Sequence, residues 1–233
     1  MRKKILFSSI ILLLSISVIN AAESRHRVNV KVPIDLEWKR LPQYSGPDIY
    51  YKILIEDGIT FLRAEFKPEY KTTIFYRKLP RIPKRYKHLK FKWRVYKFPE
   101  GADETVEGRM DAAASVYLFF KDGLKKYVIK YIFSVAHKKG FNFRSDDSNF
   151  INKLHIVVLE DRFNEVGKWL EEEIDFYNDF KRYFEKEEVP QLMGIGILSD
   201  GDGTKKEVVA DYADFTFIDT GTGCETEEEE NTE

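Results

Sequence analysis

The chain has 233 residues, with 38 Lys and Arg against 39 Asp and Glu, for a formal net charge of −1. That balance lacks the basic excess of a nucleic-acid binder, so no nucleic-acid partner is expected. One cysteine, Cys224, excludes an internal disulfide framework and leaves stability to the core.

Met1 to Lys4 is basic, Ile5 to Ile19 is an apolar run diluted by serines, and Asn20-Ala21-Ala22 offers small residues for cleavage after Ala21. The run is shorter than the roughly 20 residues of a spanning helix, and no second one follows. Residues 1–21 are therefore expected to be a signal peptide. The mature chain is expected to be periplasmic or secreted, with no transmembrane segment after cleavage. No cysteine stands directly after the apolar run, so no bacterial lipid anchor is expected. Charged residues make up 33% of the chain and glutamine occurs only at Gln43 and Gln191, a thermophile-like composition that speaks of the host and not of the activity.

Residues 22–48 read as a short strand with alternating Val28, Val30 and Val32, then a connection with room for one helical turn. Ile49 to Glu56 and Ile59 to Phe66 are β-rich runs joined by Asp57-Gly58, a type I′ hairpin signal because both central positions need positive φ. Lys71 to Leu79 is a further strand, and Leu79 to His88, with two prolines and several cations, is a solvated loop. Phe91, Trp93 and Val95 alternate with Lys92, Arg94 and Tyr96, so the strand should bury its aromatics and show a basic, tyrosine-bearing face.

Pro99 to Glu107 is an acidic loop. Asp111 to Phe120 is a buried strand, turned at Asp122-Gly123 into a partner over Tyr127 to Val135. Leu154 to Leu159 is apolar apart from His155, which suits a strand covered on both faces. Trp169 to Ile174 is another strand. Phe176, Phe180 and Phe184, four apart, form one helical stripe. From Pro190 to Ile218 two alternating runs flank Ser199-Asp200-Gly201-Asp202-Gly203-Thr204, which reads as a closing β-hairpin with an acidic tip. The expected domain is residues 49–219, mainly β, an antiparallel, jelly-roll-like β-sandwich with one or two short helices. Residues 220–233 are expected to be a disordered acidic tail.

Phe91-Lys92-Trp93-Arg94-Val95, Asp111-Ala112-Ala113-Ala114 and Tyr131-Ile132-Phe133-Ser134 follow one another in a recognisable order. So do Gly167-Lys168-Trp169, Gly194-Ile195-Gly196-Ile197, Asp200-Gly201-Asp202-Gly203-Thr204 and Ala213-Asp214. The series, from about Ile49 to Phe217, resembles the bacterial secreted family catalogued as domain of unknown function 3047. Its members usually carry Asp-Asp where this chain has Met110-Asp111, and Trp where it has Phe133. The resemblance implies an exported jelly-roll-like sandwich with no assigned reaction.

Candidate ligand-binding residues are Arg94, Tyr96, Asp111, Tyr212 and Asp214, with the two tyrosines as a sugar-stacking platform. Asp200 and Asp202 are candidate Ca²⁺ ligands, because alternate aspartates on a glycine-rich loop supply hard oxygens. The competing reading is that they only order a turn; no cofactor is then needed, and that reading is preferred. The four histidines show no pair at metal-ligand spacing, and His155 reads as a core histidine. No nucleophile, P-loop or dinucleotide motif occurs. The expected function is non-catalytic binding of a glycan or cell-envelope component. The alternatives are a structural envelope protein and a glycan-active hydrolase whose carboxylate pair includes Asp111 with Asp202, Asp211 or Asp214.

Overall fold

A computed structural model describes residues 28–41, 50–145 and 153–221. Residues 1–21, read above as a signal peptide, lie outside the described residues, as do Cys224 and the rest of the expected acidic tail from residue 222 on. In chain order the elements are β1 (Val30–Lys31), β2 (Lys39–Arg40), β3 (Tyr51–Glu56), β4 (Ile59–Phe66), β5 (Phe75–Lys78), β6 (Tyr86–Lys97) and β7 (Ala114–Asp122). They continue with β8 (Lys125–Ser134), β9 (Asn142–Ser145), β10 (Lys153–Asp161), β11 (Leu170–Ile174), α1 (Phe176–Phe184), β12 (Gln191–Leu198) and β13 (Val208–Asp219).

Two sheets face each other. The six-stranded sheet has the order β11-β6-β13-β4-β3, with β1 also on β13; the seven-stranded sheet runs β2-β5-β12-β7-β8-β10-β9. The β-sandwich expectation is met. Pairing is antiparallel throughout except between β8 and β10, which run parallel. Between the sheets lie Phe91, Trp93, Tyr131, Ile195, Phe215 and Phe217. Among the described residues no helix is long and apolar enough to cross a membrane.

Local signals held where the chemistry was local. Asp57 and Gly58 both have positive φ (50° and 77°) at the β3–β4 turn. At the next hairpin Asp122 pairs with Lys125, so the turn residues are Gly123 and Leu124, one step on from the expected pair. The α1 stripe is also as expected: Phe180 packs 4.8 Å from Phe120, and Phe184 lies 5.1 Å from Tyr127. Asp175 caps the helix by accepting from Asn178 N at 3.0 Å. The two-residue β2 and the short edge strand β9 fall in stretches too brief to show a period.

Two expectations are corrected. The segment from Pro190 to Ile218 is not a hairpin: β12 pairs with β5 and β7 in one sheet, and β13 with β4 and β6 in the other. The nine residues between the two strands cross from sheet to sheet, and Ser199 and Asp200 are buried on the way. The phase of β13 also changes along its length. Its pairing with β6 slips between Ala213 and Thr216, and Asp214 sits there at φ 56°. The bulge puts an extra residue in the strand and switches the inward face. Ala210 and Tyr212 point to the core before it, and Phe215 and Phe217 after it.

Candidate functional site on the outer face of the seven-stranded sheet

Register places one row of side chains across the outer face of this sheet. Tyr76 lies opposite Gly196, Gly196 opposite Tyr117, and Tyr117 opposite Lys130. In the next row Gly194 lies opposite Phe119. Because side chains on directly opposite residues share a face, the aromatics form one cluster. Tyr117 and Phe119 stack with centroids 5.9 Å apart, and Tyr76 meets Phe119 edge-on at 5.4 Å.

The two glycines of β12 make this cluster fit. A Cβ at Gly194 would come within 2.2 Å of the Tyr76 hydroxyl oxygen, and one at Gly196 within 2.9 Å of the Phe119 ring. The rings fill the space that side chains on β12 would take. Tyr76 is further fixed by donating its hydroxyl to Met193 O at 3.0 Å. Tyr76 and Phe119 are half-buried, while Tyr117 is buried beneath the Lys130 ammonium, 5.5 Å from its ring centroid.

Lys130, only 6% exposed, lies beside two acidic groups. The first is Asp111, Asp200 and Asp202, with ligand-capable oxygens within 4.8 Å of one another. Asp111 is buried and accepts from Gly203 N (3.0 Å), Thr204 N (2.7 Å) and Thr204 Oγ1 (2.6 Å). It therefore clamps the crossing loop. Asp200 accepts from Ala112 N at 2.9 Å. Burial pushes its carboxyl up to about 7; Lys130 opposes that rise, and Asp111 and Asp202 add to it. The second group is Asp103, Glu104 and His137. Burial raises Glu104 above the usual carboxylate range, against the hydrogen bond from Ser134 and the Lys130 charge.

The other sequence candidates lie elsewhere. Tyr212 is wholly buried, and its hydroxyl donates to Leu198 O at 2.8 Å while Ser115 N donates to it at 3.2 Å. The bulge at Asp214 is what turns it inward, so Tyr212 cannot form a surface platform. Arg94 and Tyr96 belong to the outer face of the opposite, six-stranded sheet. Arg94 is bound by Asp211 (2.7 Å) and Glu56, with its guanidinium 4.3 Å from the Trp169 ring centroid and 5.2 Å from that of Tyr96. Asp214 is exposed and accepts from Lys92 Nζ at 2.9 Å. The structure thus brings Asp111, Asp200 and Asp202 together and separates them from Arg94, Tyr96, Tyr212 and Asp214. Of the partners weighed for Asp111, Asp202 is near it, whereas Asp211 and Asp214 are bound to cations of the other sheet.

Sequence reading passed over Tyr76, Phe119, Lys130, Glu104 and His137. The glycine alternation of β12 was the available signal, since a bare strand face invites neighbouring rings. It also passed over a carboxylate pair at the edge of the sandwich. Glu172 of β11 accepts from Trp93 Nε1 at 3.1 Å and lies beside the Glu160 carboxylate of β10. Burial first, and the Glu160 carboxylate second, push Glu172 up to about 7. Folded protein then binds more protons than unfolded chain between about pH 4.5 and 7, so this group's contribution to stability is lost as pH rises through that window. Glu172→Gln mimics the protonated form and should flatten the decline by up to ~1.4 kcal/mol per pH unit. Urea unfolding at several pH values checks this, and an unchanged slope would sink it.

The family described as "Protein of unknown function (DUF3047)" matches residues 37–216. The chain belongs to that family. No curated protein matches this DUF3047 member. Among solved structures it is similar to the family 30 carbohydrate-binding module of a cellulosomal cellulase of Clostridium thermocellum. That likeness has 10% identity, covers 81% of this chain and 96% of that one, and has a TM-score of 0.45. It is also similar to a family 11 carbohydrate-binding module of Clostridium thermocellum (10% identity, 83% and 94% covered, TM-score 0.42). A third is the endoglucanase Cel12A of Rhodothermus marinus (8% identity, 82% and 98% covered, TM-score 0.44).

Proposed function

We propose that this protein is an exported, non-catalytic binder of a glycan or glycan-bearing envelope component, which it takes on the outer face of the seven-stranded sheet. The observation that carries the reading is the pair of half-buried rings, Tyr76 and Phe119, set over the bare backbone of Gly194 and Gly196. Sugar rings present axial C–H groups on one face and hydroxyls at the rim. An aromatic cluster bordered by Lys130 and carboxylates offers apolar contact with polar groups beside it, the usual mix of a small-ligand site. Asp111, the sequence candidate for catalysis, is occupied by three donors of the crossing loop, which supports binding over hydrolysis. The signal-like N-terminus supports export to the periplasm or beyond.

A glycan array probed with the mature chain tests this reading. Tyr76→Ala and Phe119→Ala should each weaken binding to the positive glycans by about tenfold, the equivalent of ~1.4 kcal/mol. Tyr96→Ala, on the opposite sheet, should bind as the parent does. An array without positives, or equal loss from all three variants, would refute the assignment.

A further inference from the structure

We propose that Asp103, Glu104 and His137 form a binding site for one divalent transition-metal ion, of which Zn²⁺ fits the donor set. The three side chains come from two loops, Asp103 and Glu104 before β7 and His137 after β8. Asp103 Oδ1 is 3.0 Å from His137 Nε2, a hydrogen-bonded contact that a bound ion would replace, and Glu104 Oε2 is 3.9 Å from the same nitrogen. In a tetrahedral Zn²⁺ site with bonds of about 2.0–2.2 Å, ligand atoms sit roughly 3.4 Å apart. The two observed separations bracket that value.

An independent feature points to a missing partner. Glu104 is 1% exposed, and its Oε1 is buried without a hydrogen-bond partner. A carboxylate oxygen left so is costly, and a cation held by both oxygens of Glu104 would satisfy it. The remaining contacts orient the donors. Ser134 Oγ donates to Glu104 Oε2 at 2.8 Å and accepts from His137 N at 3.0 Å, which ties the two ligands to one turn. The His137 imidazole stacks on Phe141 with centroids 4.2 Å apart. Thr105 N and Oγ1 both donate to Asp103 Oδ1. Lys130 offsets part of the negative charge on Glu104. An imidazole nitrogen with two carboxylates suits Zn²⁺, whereas Ca²⁺ takes all-oxygen sites.

The test uses the full exported chain carrying Cys224→Ser, so that the lone thiol cannot compete, after chelator treatment and dialysis. Zn²⁺ should bind at one equivalent by calorimetry and raise the melting temperature by several degrees. Glu104→Gln and His137→Ala should abolish both effects, while Asp202→Asn keeps them and Ca²⁺ in place of Zn²⁺ gives no shift. A flat response to Zn²⁺, or a shift that persists in Glu104→Gln and His137→Ala, overturns the site. A shift lost in Asp202→Asn also overturns it by moving the ion to the other cluster. If the His137 variant does not fold, Co²⁺ added to the parent chain decides. Intense visible bands of a tetrahedral site are expected, and weak octahedral absorption alone would overturn it.

Discussion

Replacing Trp93 by alanine is expected to cost about 3–5 kcal/mol, the range for removing a large aromatic from a packed core. Trp93 is fully buried between the sheets, edge-on to Phe91 at 5.2 Å and 5.7 Å from Phe133. Two losses combine. The cavity forfeits the ring's contacts with both sheets, and Glu172 loses the indole N–H that donates to it at 3.1 Å. Because Glu172 is itself buried, losing that donor adds a desolvation cost to the packing cost. Domains are held by roughly 5–15 kcal/mol, so the variant should fold weakly. Urea denaturation gives the number. A loss below about 1 kcal/mol would mean that the surroundings collapse onto the gap, contrary to close packing between two sheets.

Asp211→Asn is expected to cost about 3–5 kcal/mol, the penalty for leaving a buried ion pair with one partner. Asp211 is wholly buried on β13, a strand flanked by β4 and β6. Its Oδ1 accepts from Arg63 Nε at 2.7 Å, and its Oδ2 from Arg63 at 2.9 Å and Arg94 Nε at 2.7 Å. One carboxylate thus bridges guanidiniums from the strands on either side. The hydrogen bonds that Arg63 donates to the Asp211 carboxylate hold that guanidinium above its ordinary value. Asparagine keeps the shape but carries no charge, and its amide group would face a guanidinium. Arg94→Met, which keeps a long apolar stem against Phe61 and Trp169, should cost less, because Asp211 retains both hydrogen bonds from Arg63. Comparing melting curves of the two variants tests the pairing. An Asp211→Asn protein that melts with the parent would show that the bridge contributes nothing.

What the sequence by itself determined was whatever depends on neighbours a few residues apart. Period-two alternation at Phe91, Trp93 and Val95 marks a strand with a buried face, and those three residues are buried. Asp57-Gly58 marks its turn because positive φ is a property of the dipeptide, and the Phe176, Phe180 and Phe184 stripe follows from the helical repeat. Only the tertiary structure decided which strands pair. Two alternating runs around a Gly/Asp loop read alike whether they pair with each other or face each other across a core, and β12 and β13 do the latter. It also decided the phase of β13, since one bulged residue at Asp214 moves Tyr212 from the expected surface to the core. The aromatic cluster and the donor set around Lys130 were out of reach for the same reason. Tyr76 and Phe119 meet through β12, and Glu104 reaches His137 from across the β7–β8 hairpin. Contacts between residues 30 or more positions apart come from sheet order and register, which no local period encodes.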